Sequence, residues 1–579
     1  MANGWLSGIV PRLPRDVPVL SDGVVTLRPH LSGDIPRMVQ ACRDPLSRRW
    51  LPLPAPYEHN DASDFLEAKR AGRAAGTSIE WAVESEGRWV GNIGLHDPRG
   101  NTFEVGYLMH PDARGLGLGL RALNVLITHS LGAMGLDGLA WRAARGNFAS
   151  WRLAWSGGFT MDGTWQVPHP VSDGNTVDAI WLGHLDASDA REPQTPWWEP
   201  PVLDGGRFVL RPWRDDDTPR AGPDQLSARY LHDTQPTPST YASWLLTRRE
   251  QMAGGKGVYW CIADPDIDEP LGYLAISDLQ IALTRGTGEL SYWLYPWARR
   301  LGLLQESLDV VIAHAFAPLA DRYGTSGLGL HRLQAGTDLA NRPSARALRR
   351  AGFRQVAQER AVLAHDDRSP TAAITFELLA EDDRLAQSIE PAVLPTIRTP
   401  RLVLRQWAPD DRPAEEIELD RAALRYMPPG AQPTHATWDE WFERRTRQVE
   451  TGQFTWCVAD ADTDVALGSV ALFERDGPVT NRAELGYWLY ESARGRGFAG
   501  EAIDAAVAFA FTPAARDGLD LTRIAAATDA ENAASQKLLR ARQFTRWGCA
   551  TGDYTRSDGS VGDSVYWELL AEDYEPDRS

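Results

Sequence analysis

Three glycine-rich turns are the segments of this chain best suited to chemistry: ARGLGLG from Ala113 to Gly119, ARRLGLL from Ala298 to Leu304, and ARGRGFA from Ala493 to Ala499. Glycine lets successive main-chain N–H groups crowd together and point one way. An apolar stretch of helical character follows each turn. A helix N-terminus adds its own unpaired N–H groups and the positive end of its dipole, so the sum is an anion site suited to a pyrophosphate. A glutamate stands ten residues before the arginine of each turn: Glu104 before Arg114, Glu289 before Arg299, Glu484 before Arg494. A carboxylate placed there can take a proton, directly or through water. It reads equally well as a solvent-facing or salt-bridged strand residue. Farther on, each copy carries Asn-x-x-Ser: Asn147 and Ser150, Asn341 and Ser344, Asn532 and Ser535. Asn and Ser favour helix starts, so capping is one reading of that pair.

These features recur because the chain repeats itself. The turn arginines 114, 299 and 494 lie 185 and 195 residues apart, a period that means domain triplication rather than a solenoid of short repeats. Each copy opens with an Arg six residues before an Asp (Arg28, Arg211, Arg405), a pair that reads as structural. Each then has an aromatic strand around Trp81, Trp260 or Trp456. Cys261 and Cys457 hold equivalent strand positions and read as core packing. The joints at 188–203 and 382–396 have proline-containing linker composition, which places the copies at 1–187, 204–381 and 397–579. Within a copy the pattern predicts a first strand, a polar helix, three strands, the turn with its apolar helix, strand RIAAATD, helix AASQKLLRARQ and a closing strand such as VYWELL.

Composition narrows the function classes. The 579 residues are 43% hydrophobic and 24% charged, enough apolar material for several cores. The net charge of -18 argues against a generally basic nucleic-acid binder, so no DNA partner is expected. No apolar run approaches the ~18 residues of a membrane span, and MANGWLSGIVPRLPRD lacks the pattern of a signal peptide. Four Cys make no disulfide framework and the twelve His form no ligand motif, so a metal site is not expected. A cytoplasmic location follows. The 23 Trp read first as core residues.

The turns resemble the Arg/Gln-x-x-Gly-x-Gly/Ala signature of the GNAT N-acetyltransferases. The whole copy is similar to the RimJ/RimL-like branch that acetylates ribosomal-protein N-termini. RTPRLVLRQWAPDD, LGSVALF, AELGYWL, ARGRGFAGEAI and DAENAASQKLLRARQF carry the likeness in the third copy. The resemblance implies an α/β (α+β type) fold: three tandem domains, each a mixed, mostly antiparallel twisted sheet flanked by helices. Acetyl-CoA, as co-substrate, would sit where two neighbouring strands splay apart. The cofactor-binding residues would be Arg494, Gly495, Arg496, Gly497, Phe498, Ala499 and Asn532 in the third copy. In the first they would be Arg114, Gly115, Leu116, Gly117, Leu118, Gly119 and Asn147. In the second copy Leu304 replaces the last small residue of the signature, and a branched side chain there would obstruct a phosphate. That copy is expected to bind acetyl-CoA poorly or not at all.

By the same resemblance Glu484 and Glu104 are the base candidates. Many relatives use a Tyr on the last motif's helix to receive the departing thiolate. None of the three helices has one, and Ser535 and Ser150 are the candidates instead, as hydrogen-bond donors. The leading expectation is an enzyme, an acetyl-CoA-dependent N-acetyltransferase. It would move acetyl to a primary amine (a protein N-terminus, or a small molecule such as an antibiotic or polyamine) by direct attack on the thioester. An aminoacyl-tRNA-dependent transferase is the first alternative. It is disfavoured by the charge of residues 397–579, 21 basic against 31 acidic. A non-catalytic CoA-binding or scaffold protein is the second. The acceptor-side loops around Pro54, Pro236 and Pro429 differ among copies, so the two intact copies are open to different acceptors. The oligomeric state is unknown.

Overall fold

The structure, a computed structural model, describes residues 13–575 apart from residue 15, 173–174, 232–234, 280–283, 365–369, 388–393, 416–418, 451, 474–480, 514–515, 517 and 557. The first twelve residues, read above for a signal peptide, lie outside it, as does part of the 382–396 joint.

Three eight-stranded sheets share one strand order. In the third copy that order is Ile397–Arg398, Leu402–Arg405, Phe454–Asp460, Ala466–Phe473, Arg482–Leu489, Arg523–Asp529, Val561–Leu570 and Thr545–Thr555. Among the described residues every strand pairing there is antiparallel except that of Arg482–Leu489 with Arg523–Asp529. Each copy is therefore a mixed, mostly antiparallel sheet flanked by helices, as expected. The chain forms two compact units: Met1–Pro223 with Gln235–Gly286 and Ala317–Gly329, and Asp224–Thr234 with Thr287–Phe316 and Leu330–Ser579. The first copy lies wholly in one unit, the third wholly in the other, and the middle copy's elements are divided.

The core of the third copy sits between its sheet and the helices Phe498–Phe511 and Ala533–Ala541. Trp456, Phe498, Ile503, Val507, Ile524 and Trp567 form one buried cluster there. The first helix begins at a glycine and stops at Thr512, where Pro513 has no N–H to continue it. On the opposite face Trp438 and Trp441 stack, Trp407 meets both edge-on, and the three share a buried cluster with Cys457. The repeated strand tryptophans anchor each copy to the segment before it. Trp81, Trp260 and Trp456 are fully buried, and each donates its indole N–H to a carbonyl, of Pro18, Pro201 and Pro395 at 2.9, 3.1 and 2.8 Å. Cys261 and Cys457 are fully buried with thiols pushed up by desolvation, which fits packing.

The Arg–Asp pairs at the copy openings also prove structural. Arg28 makes a bidentate pair with Asp34 at 2.8 and 2.9 Å, and Arg405 pairs with Asp411 at 2.8 Å through both nitrogens. Arg211 and Asp217, both buried, pair at 2.7 and 2.8 Å. The joint at 188–203 differs from its linker reading. Trp197 and Trp198 are buried, and Trp198 donates its indole N–H to the Gly255 carbonyl at 2.7 Å. The segment is without helix or strand up to Val202, as its prolines suggest, but its two large aromatic rings are packed away from solvent.

Burial alone would raise the Asp34 carboxyl, but hydrogen bonds from Arg28 and the Leu31 N–H leave it below its ordinary value. A carboxyl depressed on folding stabilises above its unfolded pKa and loses that contribution as pH falls through the folded value. Asp34→Asn should therefore cost about 1–3 kcal/mol at pH 7. In thermal unfolding, the gap from wild type should shrink as pH drops below about 4.

Candidate functional site

Two strands part company at each glutamate. Arg482–Leu489 pairs in parallel with Arg523–Asp529 only through Arg482↔Arg523, Ala483↔Ile524 and Glu484↔Ala525. Thr102–Met109 and Gly138–Ala144 pair only through Glu104↔Ala140. Thr287–Leu294 and Arg332–Asp338 pair only through Glu289↔Gln334. Beyond the glutamate both strands continue without pairing each other. The carboxylate thus marks the root of a fork whose inner edges carry main-chain donors and acceptors.

The glycine turn lies at the end of one prong. Gly115 and Gly117 have φ +76 and +75, and Gly495 and Gly497 have +73 and +82. Two left-handed residues flanking one ordinary residue form a concave run of N–H groups. Gly117 and Gly497 are the N-caps of Leu118–Thr128 and Phe498–Phe511, and neither helix start has a side-chain cap. A Cβ added at Gly115, Gly117 or Gly495 would meet nothing within 4 Å, so the cradle is open on its outer side. Those uncapped donors fit the pyrophosphate of a CoA molecule.

The turn arginines do not reach into that cradle. Arg494 is tied beneath it to Asp420 at 3.0 and 2.7 Å and to the Leu489 carbonyl at 3.1 Å. Arg114 meets Asp44 at 2.7 Å, the Ser47 hydroxyl at 2.8 Å and the Met109 carbonyl at 3.2 Å. Arg299 repeats the pattern with Asp224 at 2.7 and 2.8 Å and Ser227 at 2.7 Å. Their guanidinium groups hold the turn from below; only their main chain is placed to serve a ligand. Sequence reasoning missed Asp44, Asp224 and Asp420, which lie about seventy residues upstream and share no fixed local motif.

The middle copy keeps this scaffold and changes the residues on it. Gly302 has φ +80, and Arg300, where the other copies have Gly115 and Gly495, is held at φ +62. The departure from the signature is therefore double: Leu304, as expected, and also a side chain at the first left-handed position. In the third copy two more guanidinium groups attend the turn. Arg496 and Arg401 lie over the Phe498 ring at 4.6 and 5.0 Å, and Arg401 donates to the Arg496 carbonyl at 2.9 Å. Leu116, in the place of Arg496, is exposed in the first copy, and Leu118 and Gly119 open its helix.

Across the fork stands a hydroxyl pair that the sequence reading did not find. Tyr107 lies 3.0 Å from the Ser150 hydroxyl, and Tyr292 lies 2.9 Å from that of Ser344. Tyr487 bonds to Ser535 in the same way. The phenols come from the glutamate strand, three residues after Glu104, Glu289 and Glu484, not from the helix where one was sought. Burial pushes all three up to about 12, so they stay neutral hydroxyls near pH 7. Asn147, Asn341 and Asn532 cap the serine helices, each accepting from the serine N–H at 3.2, 3.4 and 3.1 Å. The capping reading is thus met in every copy.

The two base candidates have different surroundings. Glu104 is mostly buried, with Arg142 Nε at 2.7 Å and His96 Nε2 at 3.4 Å, the salt-bridged alternative. His96, Asp97 and Glu104 offer ligand atoms within 4.8 Å of one another, as a metal site would, with Arg142 already paired to both carboxylates. In the third copy Phe473 replaces His96 opposite Glu484, and Ala527 stands in the place of Arg142.

Gly495→Arg would copy the middle turn into the third. With open space outside the Cβ, only the left-handed backbone is penalised, by about 1 kcal/mol. Denaturant unfolding of the full chain should show that small loss and no more; a loss several times larger would mean the turn has another steric constraint.

The comparisons agree with this architecture. A family model described as an acetyltransferase (GNAT) domain matches residues 25–160, 207–354 and 401–545. An uncharacterized N-acetyltransferase p20 of Bacillus licheniformis is 34% identical over 113 residues, 20% of this chain and 60% of that relative's length. RimJ of Mycobacterium smegmatis, solved with CoA-disulfide, is 20% identical, covering 30% of this chain and 86% of its own, at a TM-score of 0.27. RimL, a ribosomal L7/L12 α-N-protein acetyltransferase solved with coenzyme A, is 15% identical, covering 29% and 98%, also at 0.27. With the family model matched three times over most of its length, the chain belongs to the GNAT acetyltransferase family.

Proposed function

We propose that the third and first copies each transfer acetyl from acetyl-CoA to a primary amine, and that the middle copy does not. The observation that carries this reading is the pairing of an open left-handed glycine turn with a glutamate-rooted fork in those two copies. The pyrophosphate would lie on the turn of Gly495 to Ala499, or Gly115 to Gly119. The thioester would lie in the fork, where unpaired strand N–H groups can polarise its carbonyl.

The amine attacks the carbonyl carbon, a tetrahedral intermediate forms, and the C–S bond breaks as the amide forms. Glu484, or Glu104 in the first copy, takes the proton lost by the amine, directly or through water. An α-amine, with a pKa of about 7.7–8, is far more often neutral near pH 7 than a lysine side chain at ~10.4. The Tyr487 and Ser535 hydroxyls, and Tyr107 with Ser150, donate a hydrogen bond to the departing thiolate. A neutral hydroxyl suits that part better than full proton transfer.

The acceptor side favours a slim amine, such as a peptide N-terminus or small molecule. In the third copy Asp558, at the tip of the last hairpin, donates its main-chain N–H to the Leu424 carbonyl at 3.1 Å across the mouth. In the first copy Ser172 bridges to the Leu51 carbonyl at 2.7 Å and the Leu53 N–H at 3.1 Å. Among the described residues no helix is long and apolar enough to cross a membrane.

Thiol release from acetyl-CoA should be measured with a panel of N-terminal peptides and small amines. Where turnover is found in a chain whose first turn is blocked by Gly117→Leu, Tyr487→Phe and Ser535→Ala should each lower kcat by about 10–100-fold. The KM for acetyl-CoA should change little. Tight cofactor binding with no thiol release for any amine would reduce the protein to a CoA binder.

A further inference from the structure

The first copy's serine helix is held by a residue of the middle copy. Arg145 sits two positions before Asn147, the cap of helix Phe148–Ser156. Its guanidinium donates to both carboxylate oxygens of Glu250 at 2.7 and 2.6 Å, and its main-chain N–H to the Ala179 carbonyl at 3.0 Å. Glu250 belongs to helix Tyr241–Ala253, in the same compact unit. It also accepts the indole N–H of the fully buried Trp181 at 2.9 Å. Trp181 in turn packs on Phe148 and Trp151 of the serine helix, at ring separations of 4.9 and 4.7 Å. One carboxylate therefore reaches the Asn147 turn by two routes, through the strand end and through the helix face.

The brace extends along the helix. Trp155 donates to the Thr195 carbonyl at 2.9 Å, and Arg152 lies 5.1 Å over the Tyr323 ring. The middle copy's corresponding helix touches the third copy differently, through Arg342, which donates to the Glu443 main-chain carbonyl at 3.4 Å. Leu339 and Ala530 stand in the place of Arg145, and Ile374 and Val565 in that of Trp181. The pairing is specific to the copy that has lent its flank to a neighbour.

We propose that Glu250 is a positioning residue for the first copy's cofactor site, and that this is a retained task of the degenerate copy: it fixes the turn that carries Asn147 and Ser150. The inference rests on the reading that this turn serves acetyl-CoA. A full chain carrying Gly497→Leu isolates the first site for calorimetric titration with acetyl-CoA. Glu250→Gln keeps the volume and the Trp181 acceptor and removes the charge on Arg145; it should weaken binding about fivefold, and Glu250→Ala about twentyfold. In a chain carrying Gly117→Leu instead, the same substitutions should leave the third site's affinity unchanged. Unchanged affinity at the first site in Glu250→Gln and Glu250→Ala would overturn the brace alone. Equal weakening at both sites would also overturn it, as general destabilisation. No binding by the Gly497→Leu chain itself would remove the cofactor reading and the brace with it.

Discussion

A guanidinium beneath a glycine turn is the interaction on which each copy depends. Glycine visits both signs of φ freely, so its own backbone does not hold two left-handed positions so close together. Arg114, Arg299 and Arg494 tie the strand end above to an acidic helix start below, and so define the direction in which the turn's N–H groups face. The middle copy shows the strength of this constraint. Its first left-handed position is an arginine and its last small residue a leucine, yet Arg300 still adopts φ +62 over the same ion pair. The scaffold persists although two residues of the turn have changed.

The fork is the second constraint, and it follows from pairing. Strands that bond for three residues and then diverge leave main-chain groups unsatisfied unless something enters between them. Here the gap is bridged on one side by a tyrosine and a serine. In the first copy Trp141 adds its indole N–H to both hydroxyls at 3.1 Å. The two intact copies then diverge at the acceptor end. One surrounds its glutamate with His96 and Arg142; the other opposes it with an aromatic ring, Phe473. The same frame therefore carries two different sets of side chains around its glutamate.

Much of this was legible because it is local. The turns, the glutamates ten residues before them, and helix Phe498–Phe511 all follow from short-range spacing. The capping pair was visible for the same reason. What escaped is what crosses the chain. Asp420 lies 74 residues from Arg494, and Tyr487 lies 48 residues from Ser535, so neither partner leaves a mark in a local window. Tyr107, Tyr292 and Tyr487 did recur in register; the search looked on the helix when the phenol comes from the strand. Strand Thr545–Thr555 escaped because it is a mostly exposed sheet edge with no apolar alternation. The 188–203 joint is irregular, as its prolines imply, but the burial of Trp197 and Trp198 depends on distant partners such as Gly255 and left no local mark.

The account stands on the number of cofactor cradles that the three turns provide. The most direct measurement is the stoichiometry of acetyl-CoA on the unmodified full chain, by titration calorimetry or by mass spectrometry of the intact complex. Two bound per chain is the predicted result. Three would show that Arg300 and Leu304 do not close the middle turn, and none at millimolar cofactor would contradict the reading of the glycine turns as anion cradles.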